Sequence, residues 1–89
     1  MKTVTFIRNL DIVENENNIP SHIIDALDEF FYDREWDFIK IQYEGEYDEE
    51  RDIFIISSIK DGCGNIIDRE TMEYAWEFLH PMFRKHIKF

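Results

Sequence analysis

The chain has 89 residues, 20 Asp and Glu against 10 Lys and Arg, and a formal net charge of −10. That length allows one domain, residues 1–89, and the acidic excess argues against direct nucleic-acid binding, which needs cations on the phosphates. A composition of 44% hydrophobic and 16% aromatic residues excludes a purely disordered acidic tail, because it can supply a core.

Residues 2–9 (KTVTFIRN) alternate β-branched, aromatic and polar types and predict a strand. Residues 11–18 (DIVENENN) read as a polar connector. A helix start follows at Asn18-Ile19-Pro20-Ser21, with Pro tolerated in the first turn and Asn18 or Ser21 available as N-cap. The helix is expected to run to about Tyr32. Ile19, Ile23, Leu27, Phe30 and Phe31 recur at three- and four-residue steps on one face, and Asp25, Asp28, Glu29 and Asp33 lie almost opposite.

Residues 36–45 predict a second strand with Ile39, Ile41 and Tyr43 on one face. Its mixed second face suits an edge position. Residues 46–50 (EYDEE) predict a charged hairpin tip. Residues 52–60 (DIFIISSIK) carry apolar groups on both faces and predict a central strand. Asp61-Gly62-Cys63-Gly64-Asn65 is turn chemistry. A second helix starts near Asp68 and presents Met72, Ala75, Trp76 and Leu79 on one side, and Pro81 ends it or begins a new turn. Residues 84–89 alternate and offer a fourth strand.

The order β-α-β-β-α, with an optional final β, predicts an α+β fold: a small antiparallel sheet with two helices on one face. If the tail pairs, the order resembles the ferredoxin-like split βαβ arrangement, whose first and third strands are central neighbours. That resemblance concerns architecture alone and implies no activity.

No stretch approaches the ~18–20 apolar residues that cross a bilayer, and the first eight residues hold no signal-peptide pattern. A single cysteine, Cys63, forms no internal disulfide and requires no oxidising compartment. The expectation is a cytoplasmic protein with no membrane contact.

Catalytic and metal motifs are sparse. Cys63, His22, His80 and His86 show no C-x-x-C or H-x-x-x-H spacing, and residues 11–18 lack the order and glycine of an EF-hand loop. No G-x-S-x-G, phosphate-cradling glycine loop or H-E-x-x-H occurs. The chain is therefore expected to be no enzyme, with no cofactor and no metal.

The carboxylates are the main signal. Residues 11–52 hold 15 acids against three bases, a local charge of −12, while the remainder carries +2. Glu44, Glu46, Glu50 and Asp52 share parity along the arms of the expected hairpin, and same-face strand residues repeat every ~6.8 Å. Alternate phosphates on a nucleic-acid strand recur at a similar interval. Tyr32 and Tyr47 sit among these acids, and Tyr is a common anchor of interfaces.

These features predict an acidic inhibitor, of the immunity, antitoxin or nucleic-acid-mimic type, that occludes a basic groove on a nuclease or other nucleic-acid-acting enzyme. Its expected partner-binding residues are Asp25, Asp28, Glu29, Tyr32, Asp33, Glu44, Glu46, Tyr47, Asp48, Glu49, Glu50 and Asp52. An alternative is a homodimeric structural or regulatory domain joined through a sheet face bearing Phe6, Phe54, Ile56 and Phe38. A third reading is a metal-dependent nuclease of ferredoxin-like fold centred on Asp11.

Overall fold

The structure is a computed structural model that describes residues 2–7, 12–15, 19–30 and 40–89. In chain order it contains β1 (Lys2–Ile7), β2 (Ile12–Asn15), α1 (Ser21–Glu29), β3 (Lys40–Asp48), β4 (Ile53–Lys60), α2 (Arg69–Glu77), the single-turn α3 (Pro81–Arg84) and the short β5 (Ile87–Lys88). The expected α+β class holds, with the helices laid against one face of the sheet.

The strands pair in the order β2-β1-β3-β4-β5. All neighbours are antiparallel except β4 and β5, which run parallel. This order departs from the ferredoxin-like option, in which the first and third long strands touch. Here β3 lies between β1 and β4. The expected edge strand is therefore an interior one, since Phe6 faces Ile41 on one side and Tyr47 faces Phe54 on the other. Its polar second face stays at the surface because the helices cover only the opposite face.

Three boundaries also move. The connector at 11–18 contains β2, whose Ile12 and Val13 pair with Ile7 and Phe6 to close a hairpin. β3 continues through Glu46, Tyr47 and Asp48, so the expected tip shrinks to a four-residue turn. Pro20 occupies the cap position of α1 and makes no side-chain cap bond, so Ser21 is the first helical residue. The expectations at Asn18, Phe31, Tyr32, Asp33, Trp36, Phe38, Ile39 and Asp11 lie outside the described residues.

The core gathers the inner sheet face and the apolar stripes of α1 and α2. Val4, Phe6, Ile41, Tyr43, Phe54, Ile56, Ile59 and Ile87 meet Ile23, Ala26, Leu27 and Phe30 from α1 and Met72 and Ala75 from α2. Phe30 packs edge-on against Tyr43 at 6.0 Å and Phe89 at 6.1 Å. Phe6, Phe54 and Ile56 are thus this core, and the sheet face assigned to a homodimer contact is covered by the chain's own helices.

A bulge makes this packing possible. Glu44 pairs with Ser58 and Gly45 with Ile56, so the register shifts by one residue at Ser57. The extra residue resets the two-residue alternation, so Ile56 and Ile59 both face inward although three positions apart. The Ser57 hydroxyl secures the bulge by donating to the Glu44 carbonyl at 2.9 Å. Glycine is needed opposite: a Cβ on Gly45 would stand 2.1 Å from the Ile55 carbonyl oxygen and 2.8 Å from the Phe54 ring.

The second helix forms as the sequence predicts. Asp68 caps it by accepting from the Thr71 N–H at 2.8 Å, and Pro81 opens α3. His80 caps α3 in turn, its Nδ1 accepting from the Met82 N–H at 3.1 Å. The tail strand is shorter than expected but anchored twice. Phe54 N–H donates to the His86 carbonyl at 2.8 Å, and the Trp76 indole donates to the Ile87 carbonyl at 2.9 Å.

Candidate functional site

The acids named from sequence fall into three groups. On α1, Asp25 and Asp28 are exposed and Glu29 is half-exposed, as the wheel requires of residues opposite Ile23 and Leu27. On the hairpin, Glu46, Glu49 and Glu50 are exposed. The other described acids of the set are Glu44, Asp48 and Asp52. Glu44 lies 3.5 Å from the Lys60 ammonium and accepts from the Ser58 hydroxyl at 3.3 Å.

Asp48 organises the turn. Its carboxylate accepts from the backbone N–H groups of Glu50 at 3.0 Å and Arg51 at 3.2 Å, and from the Arg51 guanidinium at 2.7 Å. These bonds, the guanidinium first, hold its carboxyl below the ordinary carboxylate value.

Asp52 leaves the expected row altogether. It ends the turn with a φ of +54°, the left-handed region that Asp enters more readily than most residues. Parity along a strand therefore fails at this position, and the side chain swings to the helix-bearing side. There it meets residues from three other places in the chain.

The His22 ring, in the first turn of α1, places Nε2 2.6 Å from Asp52 Oδ1 and 2.8 Å from Oδ2. An ionised carboxylate only accepts, so Nε2 carries the proton in these contacts. The Tyr47 hydroxyl donates to Asp52 Oδ1. The His86 Nδ1, just before β5, lies 2.8 Å from the Asp52 backbone carbonyl and 3.6 Å from Oδ2. The two imidazoles stand 5.1 Å apart, centroid to centroid, at 65°.

Electrostatics follow from this geometry. The Tyr47 hydrogen bond, then that of His22, holds the Asp52 carboxyl below its ordinary value. Reciprocally, the bond to Asp52 and partial burial push the Tyr47 phenol up to about 12, so it remains a donor across the physiological range. Tyr47 thus packs half-buried against the core while its hydroxyl donates to Asp52.

The cluster also ties the two acidic regions together. His22, Asp25 and Glu29 follow one another at three- and four-residue steps on α1, so the His22–Asp52 contact seats the hairpin turn beside the acid-bearing helix. Sequence reasoning passed over this cluster. His22 and Asp52 are 30 residues apart and Asp52 and His86 are 34, and no spacing rule links such positions.

Among the described residues, no helix is long and apolar enough to cross a membrane. No protein-family model matches the chain, nor does any curated protein or solved structure match it significantly.

Proposed function

We propose that the chain is an acidic inhibitor of the immunity or antitoxin type, which occludes the basic groove of a nuclease or another nucleic-acid-acting enzyme. The observation that carries this reading is the contact between His22 and Asp52, which seats the acid-bearing helix α1 beside the acidic β3–β4 turn. Asp25, Asp28 and Glu29 carry carboxylates on the helix and Glu49 and Glu50 carry them at the turn, while Glu46 lies on the uncovered face of the sheet. Tyr32 and Asp33 extend that set in sequence.

The mechanism is steric and electrostatic. Carboxylates about 5–7 Å apart along a helix face and a strand approximate the spacing of backbone phosphates, so the surface competes for the same cations. Like charges crowded on one surface oppose folding, and salt relieves that strain over a Debye length of ~8 Å. A basic partner relieves it more completely, and long-range attraction speeds the encounter.

Affinity capture from native lysate, with partners identified by mass, tests the proposal. A basic nucleic-acid-acting protein should be held at low salt and shed at high salt. With that partner in hand, the combined variant Asp25→Asn, Asp28→Asn, Glu49→Gln and Glu50→Gln should slow association by about tenfold or more. A partner held equally well at both salt concentrations, or association unchanged in the variant, rejects electrostatic occlusion.

A further inference from the structure

We propose that His22, Asp52 and His86 form a binding site for a divalent transition metal, zinc(II) in the first instance. Each residue offers one ligand atom, and the three atoms lie within 4.8 Å of one another. Two imidazoles and one carboxylate form a recurrent set for zinc and its first-row neighbours, whereas magnesium and calcium prefer oxygen alone.

Two sides of the triangle come close to what zinc needs. Zinc binds nitrogen and oxygen at ~2.0–2.2 Å, so ligands around one tetrahedral ion stand ~3.3–3.5 Å apart. Here His22 Nε2 is 2.8 Å and His86 Nδ1 is 3.6 Å from Asp52 Oδ2. Opening the first and closing the second takes a fraction of an ångström, and the two ring nitrogens, within 4.8 Å of each other, draw together as well. The side chains of His22 and Asp52 are 50% and 40% exposed, which leaves room for that adjustment and for a water as fourth ligand.

The surroundings resemble a supported ligand set. The Tyr47 hydroxyl donates to Asp52 Oδ1, orienting the carboxylate while leaving Oδ2 its lone pairs for an ion. The left-handed backbone at Asp52 aims that carboxylate at the two rings. On binding, the ion takes the place of the proton on each ligating ring nitrogen, and that proton moves to the ring's other nitrogen or to water.

The test is a titration of the full chain with zinc(II) alone, followed by calorimetry and by NMR of the histidine ring nitrogens. One zinc per chain should bind and shift the rings of His22 and His86, leaving His80 unmoved. Cobalt(II) in the same site should give the visible bands of a tetrahedral ion. His22→Gln and His86→Gln should abolish saturation, Tyr47→Phe should weaken it by about 10-fold, and Cys63→Ser should leave it unchanged. No saturable binding by the wild-type chain overturns the site, as does zinc shifting His80 or being lost with Cys63. The ring-nitrogen readout uses the wild-type protein, so a variant that fails to fold cannot mask the answer.

Discussion

The middle of the β3–β4 hairpin and its tip are held by different forces. In the middle, Tyr43, Phe54, Ile56 and Ile59 are buried almost completely against α1 and α2. Burial of apolar area is non-directional and scales with what is covered, so this region sets how stable the molecule is. At the tip, Asp48, Asp52, Tyr47 and His22 make directional bonds within reach of water. Such bonds contribute less to stability and more to position. One hairpin therefore separates the task of staying folded from that of placing side chains.

The largest expected effect breaks the apolar region. Phe54→Ala empties the centre of the core and should cost about 3–5 kcal/mol, read from urea or thermal unfolding. Gly45→Ala comes next, because its methyl group must displace either the Ile55 carbonyl or the Phe54 ring. A loss of about 1–3 kcal/mol is expected by the same measurement.

The smallest effect lies at the tip and sharpens the contrast through pH. The native Asp48 carboxyl titrates below its ordinary value of 3.8, so its contribution is complete well above that value. It is lost as the pH falls through 3.8 and then through the lowered native value. Asp48→Asn removes this titration, so the decline of the unfolding midpoint as the pH falls below about 5 should be shallower than in wild type. A neutral-pH loss in Asp48→Asn equal to that of Phe54→Ala would erase the distinction between the two regions.

Much of the architecture was legible. The apolar stripe of α1 and the Asp68 cap needed only local rules, and Ile41 and Tyr43 were placed correctly on a buried face. The misplacements have specific causes. β2 is too short and polar for periodicity to register, and it forms because its backbone completes the β1 hairpin. β3 reads as an edge because its outer face is uncovered, although its hydrogen bonds are taken on both sides. The Ser57 bulge hides in a run that looks like simple alternation.

The candidate sites divide along the same line. Acids on the exposed face of α1 follow from helical periodicity and stand where the wheel puts them. Asp52 falls outside the carboxylate row because a positive φ cancels strand parity, and Asp residues carry no mark that announces one. His22 and His86 were invisible as a pair, since their meeting depends on where α1 and β5 dock.

The parallel pairing of β5 with β4 also bears on the order of assembly. The β3–β4 turn closes over four residues, a step of microseconds for an isolated hairpin. Joining Ile87 to Phe54 instead requires α2 and α3 to fold back across the sheet, and contacts so distant in sequence form late. Tyr47 and Asp52 thus belong to an early unit, while His86 arrives only with a later docking step. The paired imidazoles meet only once α1 and the chain leading into β5 have both docked beside the turn.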